Sequence, residues 1–287
     1  MAMRELFRRV LGIRRDAAHA AIRGLRGRAR VAVLTVVDDE LKQLQPALRC
    51  TNNLAGTAYW VREKLPSTTY EVVLKQLADR GNIASGECAS EIIEDFRPHY
   101  LLLVGIGGGI EGRDDMGIGD VVIADHVDYY EFRKLMDGKS MSRKIPLDHP
   151  SRLLRCDIAK PMSDMGHWTS AIALKRPIDG VCKAIVGNLI AGEKLLADGS
   201  SAIQRDILEE YDKAIAVDME SVGVARAVFK ARGSVHYNLQ YAVVRGVSDL
   251  VDADDNDGMR RQWRPYAASA AAAFAAGMIE RLLEIPT

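Results

Sequence analysis

Hydrophobic positions fall into three regimes along the chain. In the first, Leu6, Val10, Ile13, Ala17, Ala21, Ile22 and Leu25 recur at three- and four-residue steps, which predicts an amphipathic helix over residues 3–25 with arginines off its apolar face. Gly24 and Gly27 end it. From Arg30 the pattern changes to short runs that are apolar on both faces, as buried central strands are: RVAVLTVV (30–37), HYLLLVGI (99–106), GDVVIADHV (119–127) and YAVVRGVS (241–248). KAIVGNLIAG (183–192) and AIAVDME (214–220) are two further strand candidates, and residues 84–95, 220–231 and 265–284 read as helices, with Pro265 in the first turn of the last. This alternation predicts one α/β domain over residues 29–287, three-layered, with a central mixed sheet flanked by helices, preceded by the N-terminal amphipathic helix of residues 1–28. Ligands of such sheets sit at the carboxyl ends of strands. The third regime, residues 131–168, is charged, weakly periodic and punctuated by Pro and Gly. It is expected to leave the sheet edge, as a loop and helix at a subunit contact or as a mobile cover.

Composition narrows the class. With 287 residues, 48% hydrophobic and 27% charged, the chain is globular and long enough to bury a core without disulfide or metal staples. Its neutral total hides a split: residues 1–30 hold nine arginines against Glu5 and Asp16, a charge of +7, so the other 257 residues carry −7. An acidic body opposes a polyanion, so no nucleic acid is expected. The basic helix carries a single aromatic residue, Phe7, and is thus poor in the large aromatics that favour bilayer insertion. Packing on its own body or a second subunit is its plainer use, and an acidic protein partner is the sharper one. The run 267–279 is too short and alanine-rich to span a bilayer, so no membrane span is expected. Cys50, Cys88, Cys156 and Cys182 form no C-x-x-C pair, which suits reduced thiols in a cytoplasm. Six scattered histidines offer no ligand set, so neither a metal nor another cofactor is expected.

Four stretches could carry chemistry. Asp38, Asp39 and Glu40 crowd the end of the first strand; they suit a helix N-terminus, or one of them faces a pocket as a general base. The turn VGIGGGI (104–110) lets backbone amides approach a ligand, but it does not match G-x-G-x-x-G followed by a helix, so a nicotinamide cofactor is not indicated. AVDMES (216–221) and VVRGVSDLVD (243–252) each set a carboxylate, Glu220 and Asp249, at the carboxyl rim of the sheet. Singly these read as a first-turn acid and an N-cap. Together with Glu40 they can divide the labour of base, sugar clamp and acid.

The order of VAVLTVVDDEL, VGIGGGI, GIGDVVIAD, GNLIAGEKLL, VDMES and VRGVSD resembles the nucleoside phosphorylase/nucleosidase superfamily, most nearly its 5′-methylthioadenosine/S-adenosylhomocysteine nucleosidase branch, over residues 30–284. The resemblance implies that Glu40 activates water, Glu220 grips the ribose hydroxyls and Asp249 protonates purine N7. Met219 then packs on the ribose, Ser248 orients Asp249, and Gly107 and Gly108 lie near the base. It also implies a homodimer whose second copy helps to close the 5′ side. Where phosphorylases of this superfamily hold phosphate with an arginine and a hydroxyl, this chain has Leu103 and Ile106, so water is the expected nucleophile. A phosphate-dependent phosphorylase and a non-catalytic nucleoside-binding sensor are the alternatives.

Two departures bear on the substrate. Leu195, beside Leu196, stands where the nucleosidase branch stacks a phenylalanine on adenine, so aliphatic packing or another ring must replace it. Beyond Asp249, VDADDNDGMRRQWR replaces an apolar 5′-thioalkyl wall. Arg260, Arg261 and Arg264, with Arg133, Lys134, Arg143 and Lys144, are either a solvated charge run or candidate contacts for a 5′-phosphate. Related branches that cleave adenine nucleotides act as effectors in antiviral defence, which makes an ATP or AMP nucleosidase the other expectation.

Overall fold

The computed structural model describes residues 29–54, 57–64, 69–137, 139–233, 237–253 and 255–285. The basic helix expected over 3–25, and the partner role given to residues 1–28, lie outside them. Strand β1 (Ala29–Thr35) is paired on both edges, to β4 (Thr69–Gln76) and β5 (Tyr100–Gly109), in parallel. Residues 31 to 34 therefore have no wet face, and Val31, Ala32, Val33 and Leu34 are fully buried. The sheet runs β10-β9-β6-β11-β5-β1-β4-β3-β2, with β6 (Val121–Tyr129), β9 (Ala184–Ala191), β10 (Ala214–Asp218) and β11 (Gln240–Leu250) on one side of β5, and β3 (Tyr59–Lys64) and the two-residue β2 (Asn52–Asn53) at the far edge. It is mixed: β11 is parallel to β5 but antiparallel to β6.

One further pairing closes the sheet on itself. β10 also pairs antiparallel with the end of β5, Val217 opposite Gly108 and Ala216 opposite Gly109, so five strands close into a ring. The closure needs glycine in β5, because a β-carbon on Gly107 would lie 2.9 Å from the Val217 carbonyl oxygen. It brings the ends of β1, β5, β10 and β11 together.

Helices cover both faces. On one, α2 (Asn82–Phe96) and α5 (Ser221–Ala231) bury Ala89, Ile92, Phe96, Val224 and Val228 against the sheet. On the other lie α1 (Asp38–Ala47) and α6 (Asn256–Glu284), which bury Leu44, Phe274, Met278 and Leu282. Burial of one such large apolar side chain contributes roughly 1.5–3 kcal/mol. α6 begins nine residues before the expected start, because Asp255 caps it by accepting from Gly258 N–H; Pro265 therefore lies inside the helix rather than in its first turn.

Residues 131–168 do leave the sheet, with more regular structure than their composition suggests: a hairpin of β7 (Arg133–Met136) and β8 (Lys139–Ser142), then a π-helix over Leu153–Ala159 running into α3 (Lys160–Met165). α4 (Ala202–Glu210) packs beside β10 through Ile207 and Leu208. The hairpin β3 (Tyr59–Lys64)/β4 was not expected from the periodicity. Among the described residues no helix is long and apolar enough to cross a membrane.

The alanines of α6 let it lie close on β11 at Gly246, where an added β-carbon would overlap the backbone carbonyl of Ala267. Gly246→Ala is expected to cost about 1–3 kcal/mol by overpacking and to lower the melting temperature by about 5 °C. A thermal scan showing no shift would mean that this contact yields freely.

Candidate active site

At the ring's rim the four strand ends enclose a cleft. α1 starts directly after β1, and its first-turn acids fan out by helical geometry: Asp38 is exposed, Asp39 half-buried and Glu40 buried in the cleft wall. The cluster is thus both an acidic helix N-terminus and the source of a pocket carboxylate. Glu40 Oε2 accepts from the Thr35 hydroxyl (2.8 Å) and the amides of Val36 (2.7 Å) and Val37 (3.0 Å), while Oε1 accepts from Ile106 N–H (2.8 Å). Four donors satisfy a buried carboxylate and fix its position.

Glu220 and Asp218 flank the start of α5. Asp218 caps the start of α5: its Oδ1 accepts from Ser221 Oγ (2.7 Å) and from the amides of Glu220 (3.3 Å) and Ser221 (3.2 Å). Glu220 is left free to point into the cleft, where Gly81 N–H (3.1 Å) and Arg245 Nη2 (3.1 Å) donate to its two oxygens. Burial pushes the Glu220 carboxyl above its ordinary range, and neighbouring Asp218 and Glu40 add to this; Arg245 and the Gly81 amide oppose it without cancelling it.

Arg245 is the residue that periodicity missed. It sits in the middle of β11, fully buried, with Nε 2.8 Å and Nη2 2.7 Å from Asp218 Oδ2. Burial works against its charge, but Asp218, Glu220 and Glu40 outweigh it and hold the guanidinium more firmly protonated than usual. Its Nη1 has no protein hydrogen-bond partner and points at the bare Cα of Gly105. A β-carbon there would lie 2.6 Å from Nη1 and 2.5 Å from Glu40 Oε1, so only glycine leaves room for both heads over its Cα. The available signal was an arginine inside the otherwise apolar run YAVVRGV, which demands buried countercharges.

Asp249 lies across the cleft and caps no helix, since it belongs to β11 and Asp255 does the capping. Ser248 Oγ (2.6 Å) and Arg260 Nε (3.3 Å) donate to its Oδ1, Asn256 Nδ2 (2.7 Å) and Arg260 Nη2 (3.1 Å) to its Oδ2. Met219, Ser248, Gly107 and Gly108 also line the cleft. Leu195 is 60% exposed at its rim and Leu196 is buried. No aromatic residue lines it among the described residues, and Ile106, Val217 and Val251 supply aliphatic walls instead.

The cationic residues divide. Arg260 and Arg264, one helical turn apart, line the cleft, and Arg264 Nε lies 3.1 Å from Asp39 Oδ2. Arg261 is exposed on the next face of α6 and lies outside the lining, as do Arg133, Lys134, Arg143 and Lys144 of the excursion. Arg133 instead pairs with Glu210. Two cations that sequence reasoning passed over, Arg80 and Lys194, line the cleft in their place. Among the described residues no His, Cys, Asp and Glu side chains gather as a metal-holding group.

A sequence model of the phosphorylase superfamily matches residues 81–284. The chain is 26% identical over 240 residues to the ATP nucleosidase Cap17 of Escherichia coli, covering 78% of this chain and 44% of that protein, so it spans less than half of that relative's length. It is 22% identical over 228 residues to the 5′-methylthioadenosine/S-adenosylhomocysteine nucleosidase of Staphylococcus epidermidis, covering 77% of this chain and 87% of that one. The fold matches the crystal structure of the 5′-methylthioadenosine/S-adenosylhomocysteine nucleosidase of Neisseria meningitidis in complex with methylthio-immucillin-A, with a TM-score of 0.67 at 18% identity over 88% of this chain and 99% of that one.

Removing Arg245 strands Asp218 and Glu220 in the core. Arg245→Met is expected to destabilise the fold by about 3–5 kcal/mol. Glu220 already binds its proton more tightly folded than unfolded, and losing the cation strengthens that preference. The deficit against the parent chain should therefore grow as pH rises above the ordinary glutamate range, and denaturant titrations at about pH 5 and about pH 8 read it. An equal deficit at both would contradict this account of the carboxylates.

Proposed function

The chain belongs to the phosphorylase superfamily, and from that membership and the cleft we propose that it hydrolyses the N-glycosidic bond of a purine nucleoside or nucleotide, with adenine as the base. The observation that carries the reading is the convergence of Glu40, Glu220 and Asp249 on one cleft, with Arg245 Nη1 facing Glu40 across Gly105. Water held by Glu40 attacks C1′ and gives its proton to Glu40. The C1′–N9 bonding pair leaves with the base, and N7 takes a proton from Asp249, which offsets the negative charge on the departing purine. Glu220 accepts hydrogen bonds from the ribose hydroxyls, Met219 packs on the sugar, and Ser248 orients Asp249. The base lies against Gly107, Gly108, Leu195 and Leu196, packed by aliphatic groups.

Hydrolysis is favoured over phosphorolysis by two contacts. The glycine-turn amide of Ile106, which would serve a phosphate, is taken by Glu40. The carboxylate beside it repels a dianion. The sensor alternative has less support, since a binding module needs no water-facing carboxylate opposite an acid.

The 5′ substituent has its own support. Arg80, Lys194, Arg260 and Arg264 on one cleft suit phosphate better than a thioalkyl chain, and similarity to an ATP nucleosidase points the same way. Four unpaired cysteines are compatible with a reducing cytoplasm. A homodimer would cover Ile83 (73% exposed) and Phe229 (47%) on the outer face of α2 and α5.

Chromatography of free base released from methylthioadenosine, S-adenosylhomocysteine, adenosine, AMP, ATP and their guanine counterparts tests the reading. Adenine compounds should be cleaved, without added phosphate, to an unphosphorylated C1′ hydroxyl. Asp249→Asn should lower turnover by about 10²–10⁴ while substrate binding persists. Release that depends on phosphate would assign the chain to the phosphorylases instead.

A further inference from the structure

Asp249, to which the proposed reaction gives the proton for N7, has both oxygens engaged. The Arg260 fork spans them, Nε to Oδ1 (3.3 Å) and Nη2 to Oδ2 (3.1 Å), on top of the Ser248 and Asn256 hydrogen bonds. These contacts occupy the lone pairs through which the carboxyl would hold a proton and hand it on. Arg260 nevertheless lines the cleft together with Arg80, Lys194 and Arg264. We propose that Arg260 is a lock on Asp249 that a 5′-phosphate chain draws off, so that substrates carrying phosphate free the acid they need and unphosphorylated nucleosides leave it tied. This rests on the hydrolase reading above and adds to it a residue that selects nucleotides.

The contacts of Arg260 suit such an exchange. Besides Asp249 it donates to Asn256 Oδ1 and, at 3.2 Å, to Asp257 Oδ1, whose side chain is 77% exposed. Its contacts with Asp249 and Asn256 are both part-buried, and its own side chain keeps 18% exposure. A guanidinium fork fits phosphate as well as it fits carboxylate, and a phosphate chain offers more charge and more acceptors. In an anti nucleotide the 5′-phosphate hangs over the imidazole edge of the purine, the edge that carries N7. The arginine therefore needs only a side-chain swing to pass from the acid to the phosphate. Ser248 and Asn256 stay behind to hold Asp249, because Asn256 Nδ2 is also anchored on the Leu250 carbonyl (2.8 Å). The freed carboxylate takes a proton from water and passes it to N7 as the C1′–N9 bond opens. No other reagent is consumed.

The test compares the 287-residue chain with Arg260→Ala and Arg260→Lys, measuring adenine release from ATP, AMP and adenosine. In the parent chain kcat/KM should favour the nucleotides. Arg260→Ala should raise kcat for adenosine by about tenfold and shrink the nucleotide preference by about as much, since the acid is then free whether or not phosphate is bound. Arg260→Lys keeps the charge but loses the fork, and should raise adenosine turnover while retaining part of the preference. A second measurement does not depend on any variant folding: inorganic tripolyphosphate added to the parent chain should accelerate adenosine cleavage. A parent chain that prefers adenosine, an Arg260→Ala variant that loses adenosine turnover, or tripolyphosphate that only inhibits would each overturn the lock and leave the hydrolase reading standing. If the parent chain releases base from none of these substrates, the hydrolase reading itself fails.

Discussion

Four buried carboxylates, those of Glu40, Asp218, Glu220 and Asp249, surround one cleft, and the fully buried guanidinium of Arg245 ties two of them together and faces a third. Two like charges about 4 Å apart repel by about 4 kcal/mol at an effective dielectric of about 20, so such a group cannot be assembled without a central cation. Arginine suits the place because one planar head reaches Asp218 with Nε and Nη2, Glu220 with Nη2, and the space over Gly105 with Nη1. Its position comes from the middle of β11, a strand paired on both edges, so the carboxylates are located by the core and not by a loop.

Ring closure and site construction are the same event. β10 reaches β5 only because Gly107 offers no β-carbon to the Val217 carbonyl, and that pairing carries Asp218 and Glu220 to the place where β1 and β5 already end. The bare Cα of Gly105, two residues earlier, makes room for the two facing heads. Each glycine excludes a side chain where the fold needs backbone contact or where two charged heads need the space. The glycine turn therefore reads poorly as a motif and well as geometry, because neither demand fixes a spacing in sequence.

What was legible along the chain follows from how each signal arises. Central strands announce themselves because burial on both faces forbids polar residues, and the six runs chosen on that ground are β1, β5, β6, β9, β10 and β11. β3 and β4 escaped because Arg62, Glu63, Glu71 and Lys75 interrupt their apolar runs; Arg62 pairs with Glu71 and Glu280, and Lys75 with Glu91. The carboxylates proposed for the site sit at strand ends, where a charge interrupts an apolar pattern and is noticed. Arg245 and Asp218 satisfy each other inside the fold, so neither shows until both are placed. The cations divided by a rule of helical geometry: positions 260 and 264 share a face of α6 and 261 does not. That rule could have been applied in advance only with the start of α6 correctly set at Asn256.

The two ends of the cleft differ in kind, and the difference comes from which atoms supply the hydrogen bonds. Three of the four donors to Glu40 are backbone amides of Val36, Val37 and Ile106, fixed by β1, the turn into α1, and β5. A backbone donor cannot rotate away without unpairing its strand or helix. All the donors to Asp249 are side chains, and two of them, Asn256 and Arg260, come from the first turns of α6. Side chains exchange partners by turning about single bonds on fast timescales, with no cost to secondary structure. The Glu40 side of the cleft is therefore rigid and the Asp249 side adjustable. Whatever distinguishes one bound molecule from another at this site acts first through the groups around Asp249, since only there can a partner be traded without disturbing the sheet.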